Sequence, residues 1–444
     1  MHPFWKYRVF PTLMVLISLV LYIIFGYDLE RTQFLKLISI YGSLFLLFYW
    51  ILRLQKGEIT FLVVTALLFR LIFLFTVPDL SQDFYRFIWD GRMLFAGYNP
   101  YLYLPEDIMA TGNLSIPQAQ ELFEGMGSLS ASHYTNYPPV NQFCFWLAAV
   151  FSGNSIPGAI VTMRILIILA DAGTLFFGYK LLQNLRLPVH YIFIYILNPF
   201  ILIELTGNLH FEGVMIFFLV TALYLLQKRK WVLSACTLAL SISVKLLPLM
   251  LLPLFLQVLG WRKALAYYTV TIGVVIISFL PFFSHTFIDS YSETIALWFN
   301  NFEFNASIYY VLREIGFQWK GYNMIQVIGK ITSGVLLLTI VGMALFRNNK
   351  SMDSLIKSML IASTLYFFTA SVVHPWYLAT PLVLSIFTKY RFTVWWTLLV
   401  PLSYFAYSQP DFKESYLLLS IEYIVIYVLF LYEMFKKPQE KLLF

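Results

Sequence analysis

Apolar runs of roughly 15–25 residues recur along almost the whole chain, and each is continuous rather than alternating. A continuous run of this length suits a membrane-spanning helix. The strands of a membrane β-barrel would alternate instead. The runs fall at about 9–25, 35–53, 59–77, 158–183, 190–206, 211–227, 231–246, 248–260, 264–283, 326–346, 354–372, 374–388, 392–408 and 416–435. They predict an all-α polytopic membrane protein with about fourteen membrane segments, forming a single integral membrane domain over 1–444. The first run follows Lys6 and Arg8, lacks a small-residue cleavage site and is succeeded by further runs. It therefore reads as a retained anchor.

The basic residues orient these segments. With the N-terminus inside, Lys6/Arg8, Arg53/Lys56, Lys180/Arg186, Lys228/Arg229/Lys230, Arg262/Lys263, Arg347/Lys350/Lys357, Lys389/Arg391 and Lys436/Lys437/Lys441 all fall on the cytoplasmic face. That is the positive-inside pattern, and it puts both termini in the cytoplasm. The pattern holds only if residues 137–152 do not cross. That stretch begins Tyr-Pro-Pro and reads as a helix on the outer interface, with Pro138 or Pro139 in its first turn. The pair 231–246 and 248–260 enters and returns, with Lys245 and Pro248 at its turn. Irregular backbone at that depth is tolerated only where it is buried or lines a cavity. The long loops, 78–157 and 284–325, then both lie outside.

Composition agrees with this picture. The chain is 60% hydrophobic with a mean hydropathy of +0.74. It is only 12% charged, against about 25% in a soluble domain. The net charge of +7 is loop bias and does not point to nucleic acid. Cys144 and Cys236 both lie in apolar runs and form no CxxC motif. No P-loop, dinucleotide fingerprint or nucleophile elbow is present, so no machinery for soluble nucleotides is indicated. Metal is possible but not indicated: His210 and Glu212 are spaced i, i+2 and do not share a helix face. No internal repeat is visible, which weighs against a repeat-built transporter.

Chemistry concentrates outside. Residues 81–93 read SQDFYRFIWDGRM, just past the run that Pro78 ends. As a helix from Asp83 to Phe95, the stretch puts Asp83, Arg86 and Asp90 on one face. A carboxylate beside an arginine can act as general base toward a hydroxyl, and the arginine would keep it ionised. The plain alternative is an amphipathic helix with solvated ion pairs. Asp90 is a rival base, Asp79 suits helix capping, and Arg92 has no assignment. Lys245, costly inside an apolar hairpin, needs a partner; it either holds an anion such as a lipid phosphate or snorkels. Arg164 has the same two readings, and Arg70 suits a structural ion pair. Glu204, Asn208, His210 and Glu212 crowd a short outside turn that suits hydrogen bonding to sugar or phosphate, or capping by Asn208. His374 suits a phosphate or hydroxyl contact. Trp376, Tyr377 and the tyrosines 98, 101, 103, 134 and 137 are either sugar-stacking faces or interface anchors.

These strings resemble a known group. Ser81 to Tyr101 reads SxDxxRFxWDGRxxxxGxNPY. It is followed in order by Tyr137–Pro139 (YPP), Asn198–His210 (NP…GNxH), Val244–Pro248 (VKLLP) and His374–Leu378 (HPWYL). The set resembles the bacterial polyprenol-phosphate-mannose-dependent mannosyltransferases of the GT-C superfamily, over roughly residues 60–390. The resemblance implies a GT-C-like fold with juxtamembrane helices in the first large extracytoplasmic loop, 78–157, which would be catalytic. It implies transfer of a hexose, mannose favoured, from a polyprenyl-phosphate sugar lipid to a hydroxyl acceptor (glycan, glycolipid or protein) at the outer face of the bacterial inner membrane. Inversion at the anomeric carbon and no cofactor are expected. Asp83, set with Arg86 and supported by Asp90, would be the general base. Lys245 and Arg164 would hold the donor phosphate, with His374 and His210 as further contacts. Tyr137, Asn208, Glu212, Trp376 and Tyr377 would meet sugar or acceptor; Glu212 departs from the aspartate common at its position. The competing classes are a lipid-linked sugar flippase or transporter and a non-catalytic envelope assembly component.

Overall fold

The computed structural model describes residues 5–300 and 302–436; Lys437 and Lys441 of the cytoplasmic charge pattern, and the side chain of Lys6, lie outside what it describes. The chain is almost wholly helical. The helices are α1 (Phe10–Tyr27), α2 (Phe34–Gln55), α3 (Ile59–Ile72), α4 (Asp83–Phe95), α5 (Pro105–Thr111), α6 (Ala119–Ala131), α7 (Pro139–Ser152), α8 (Ile156–Leu185), α9 (Ile192–Ile196) and α10 (Glu212–Gln227). They continue with α11 (Trp231–Val244), α12 (Leu256–Leu259), α13 (Trp261–Phe279), α14 (His285–Asn300), α15 (Ile308–Lys320), α16 (Ile325–Phe346), α17 (Met352–Thr369), α18 (Ala379–Ile386), α19 (Phe392–Leu399) and α20 (Tyr416–Phe435). The only β pairing among the described residues is an isolated bridge from Phe304 to Val372.

Each of the fourteen expected segments coincides with helical chain. Among the described residues, six helices can cross a membrane by length and composition: Tyr7–Tyr27, Phe34–Gln55, Ile156–Leu185, Trp261–Phe282, Ile325–Phe346 and Tyr416–Phe435. A seventh is added if Val189–Ile196 and Ile201–Gly207, bent by 60°, count as one span. The difference from fourteen has a physical cause. Most of the remaining segments are short helices, several extended or interrupted by 3-10 turns, while Met352–Thr369 is long enough but carries Asp353 and Lys357 in its first turns.

Two buried arginines show how the breaks are tolerated. The bent pair passes into a π-helix over Ile201–Gly207 and frees carbonyls that no helix bond can take. Arg70 donates to the carbonyls of Ala66 and Ile196 and pairs with Asp171 at 2.9 Å, as expected of a structural ion pair. Arg164 donates to the carbonyls of Thr206, Gly207, Leu74 and Thr76. It closes the ends of two irregular segments at once.

The first outer loop is built on a close helix crossing. Ser81 accepts the Asp83 N–H just ahead of α4, whose N-cap is Gln82, and Pro139 opens α7 with Pro138 before it. α4 packs on α6 and α7, and α7 in turn on α8 and α11. Gly91 makes the α4–α7 approach possible: a Cβ there would lie 2.2 Å from the Phe145 carbonyl oxygen. Phe87 stacks on Phe145 at 4.6 Å beside it. Gly91→Ala should therefore cost about 1–3 kcal/mol or more through overpacking. Thermal unfolding in detergent checks this, with Gly42→Ala as the control, since nothing lies within 4 Å of a Cβ there. Arg92 also finds its role. It donates to the carbonyls of Pro117 and Asn154 and to the Gln118 amide oxygen, tying α4 to the connections around it.

Candidate functional site

A cavity of about 710 Å3 opens beside the N-terminus of α4. Many parts of the chain converge on it, five of them near its polar residues. Those five are the α1–α2 turn, the start of α4, the stretch 126–138, the broken end of α11 and the segment 366–377 that links α17 to α18. The second outer loop closes in from 302–309. Phe304 bonds through its backbone to Ser371 and Val373, next to His374.

The cavity is amphiphilic. One part is lined by Asp83, Arg86, Tyr137, Glu212, Lys245, His374, Trp376 and Tyr377, eight of the twelve residues expected in the site. Another is formed by Leu246, Leu247 and Met250, where α11 gives way to a 3-10 segment, together with one face of α16. That face carries Gly329, Thr332, Ser333 and Leu336 at i, i+3, i+4 and i+7, so small side chains line the groove. Away from it, Val335, Leu337 and Leu338 are exposed apolar side chains.

Asp83 is the carboxyl group of α4 that reaches the cavity, where it is half-buried. It is not paired with Arg86, as the i, i+3 spacing had suggested. Arg86 pairs with Asp90 at 2.8 Å, one turn further on. Its Nη1 donates to the carbonyls of Ser130 and His133. Asp90 is fully buried, accepts from Gln142 at 2.9 Å and does not line the cavity. Asp90 thus holds Arg86, and Arg86 holds the cavity wall at 130–133. Without an arginine partner, the Asp83 carboxyl is pushed up to about 6 by burial, with Lys245 opposing and Glu212 reinforcing the shift.

Lys245 stands where α11 stops, with extended backbone at φ −146°, ψ 139°. It finds the partner that its cost demands: Glu212, at the start of α10, at 2.5 Å. Its ammonium also lies 5.9 Å from the Tyr377 ring centre. His374, Trp376 and His210 form a three-ring stack. Trp376 lies 4.5 Å from His374 and 3.6 Å from His210, both nearly parallel. Only His374 and Trp376 line the cavity; His210 is fully buried, and burial lowers its pKa well below the usual histidine value.

Three expected contacts lie away from the cavity for clear reasons. Arg164 is committed to four carbonyls, His210 lies behind Trp376, and Asn208 accepts the Leu80 N–H at 3.2 Å. Reasoning on sequence also missed lining residues. Arg31, Tyr366 and Tyr407 all face the cavity but sit in a short turn or in apolar runs, with no local pattern to mark them.

Fold and cavity define a polytopic membrane protein with, among the described residues, a carboxyl group without an ion-pair partner and three cations around an amphiphilic chamber. The chain belongs to the MptA_B family: the model described as alpha-(1->6)-mannopyranosyltransferase, N-terminal domain, matches residues 14–261, more than half of it. Alpha-(1->6)-mannopyranosyltransferase A of Corynebacterium glutamicum is 24% identical over 186 residues, which cover 40% of this chain and 35% of that protein. The match therefore spans about a third of the relative's length.

Proposed function

We propose that the chain is a glycosyltransferase moving mannose from a polyprenyl-phosphate donor to a hydroxyl acceptor at the outer face of the membrane. The observation that carries this reading is a carboxyl group without an ion-pair partner among the described residues, placed in a cavity that also holds a groove of Leu246, Leu247, Met250 and the small side chains of α16. The groove along α16 suits a lipid tail, and the polar part suits a sugar. The charge pattern of the loops favours the outer face and a cytoplasmic N-terminus.

The step balances without a cofactor. The acceptor oxygen attacks the anomeric carbon as its proton passes to Asp83. The bond from that carbon to the phosphate oxygen breaks, and the electron pair leaves with the phosphate, inverting the centre. Lys245 keeps N–H donors beyond the one on Glu212. These stabilise charge as it grows on the leaving group. Trp376 and Tyr377 offer ring faces to the sugar, and Tyr137 bounds the acceptor side.

The reading is tested by reconstituting the chain in liposomes with labelled polyprenyl-phosphate mannose and a mannoside acceptor. Transfer is expected. If label moves from a nucleotide-linked mannose and never from the lipid, the proposal fails. The groove gives its own expected result. Ser333→Trp should raise the KM for a long-chain donor several-fold while changing that for a short-chain analogue much less. Equal effects on both chain lengths would remove α16 from the donor path.

A further inference from the structure

The charges around the cavity do not cancel evenly. Among the described lining residues, Arg31, Arg86 and Lys245 are cations, and Asp83 and Glu212 are carboxylic acids. Lys245 pairs with Glu212, and Arg86 pairs with Asp90 behind the wall. Arg31 forms no ion pair among the described residues. Its guanidinium lies over the Tyr407 ring at 4.8 Å and donates to the Gln82 amide oxygen at 3.5 Å. Asp79 takes a hydrogen bond from the Arg31 backbone and feels the charge of its side chain without an ion-pair contact; burial still raises its pKa above the usual carboxylate value, the Arg31 charge opposing. Gln82 in turn donates to the Met126 carbonyl at 3.0 Å. Arg31 is therefore fastened through the residue next to Asp83, with most of its donor edge unused.

We propose that Arg31, in the turn between α1 and α2, anchors the phosphate of a bound polyprenyl-phosphate lipid before reaction, Lys245 meeting the charge that grows on it during transfer. The assignment rests on the reading of the donor given above. An arginine fork matches phosphate oxygens with parallel N–H groups. The stack on Tyr407 fixes the plane of the fork before the ligand arrives, which lowers the cost of binding. The charge count fits as well. A sugar phosphodiester carries one negative charge, which Arg31 offsets. On transfer, the phosphate monoester gains charge while Asp83 loses its own by taking the proton. The total in the cavity is unchanged.

Binding of radiolabelled farnesyl phosphate and of farnesol to the full-length protein in detergent micelles tests the assignment. The wild type should prefer the phosphate. Arg31→Gln should raise the Kd for farnesyl phosphate about tenfold or more and leave that for farnesol unchanged, and Arg31→Lys should recover part of the loss. Unchanged phosphate binding in Arg31→Gln, or an equal loss for both probes, overturns the assignment. So does loss of the preference in Lys245→Met but not in Arg31→Gln, which would place the phosphate on Lys245. A wild type that does not tell phosphate from alcohol defeats the lipid-phosphate reading itself, which separates that failure from an error about Arg31.

Discussion

Asp83→Asn should lower kcat about 10²–10⁴-fold, the usual contribution of a general base, while leaving donor binding in place. The amide keeps the shape of the carboxylate but cannot take the acceptor's proton. The pH profile adds an independent check. With its pKa near 6, Asp83 is ionised above that pH and protonated below it. Activity should rise through about pH 6 and level off above it, and that acidic limb should vanish in the residual activity of the variant. Stability moves the other way. A carboxyl whose pKa is raised by folding contributes most below its ordinary pKa and loses that contribution as pH rises through 6. At neutral pH the variant should therefore unfold at the same temperature as the wild type or slightly higher. A variant that loses activity only by unfolding sooner would contradict this account.

Asp90→Ala should give the opposite signature, with stability lost first and activity lost as a result. The Arg86–Asp90 pair is buried, and removing one partner leaves a charge without compensation, at a cost of about 3–5 kcal/mol. Arg86 would then be free to release the carbonyls of Ser130 and His133, and the cavity wall would loosen. Thermal unfolding in detergent and the KM for the acceptor should both change, whereas the pH limb set by Asp83 should remain. Full activity with wild-type stability in Asp90→Ala would show that the pair does not hold the wall.

The contrast between these two carboxyl groups marks where sequence reasoning succeeds and where it stops. The helix from Asp83 to Phe95 and the proline start of α7 were legible because helix-start preferences and helical spacing are local properties. The convergence of Asp83, Lys245, Tyr137 and the 374–377 segment followed from charge placement and the resemblance of motifs. The pairing of Arg86 did not. On a helix, i, i+3 and i, i+4 partners are equally reachable, and the choice is made by Gln142 and two carbonyls from distant parts of the chain. Arg164 lies away from the cavity for a similar reason. A π-helix leaves carbonyls open in space but leaves no mark in the residue pattern. Arg31 was invisible because a single arginine in a six-residue turn has no periodicity to set it apart.

The groove along α16 bears on how the protein meets its substrate. With the lipid donor proposed above, the chamber would draw from a two-dimensional pool, so the quantity that sets its occupancy would be the donor's mole fraction among the surrounding lipids. Molar concentration in the tube is then the wrong scale. Adding inert lipid or detergent at a fixed amount of donor should slow turnover by surface dilution alone, with no change in the protein.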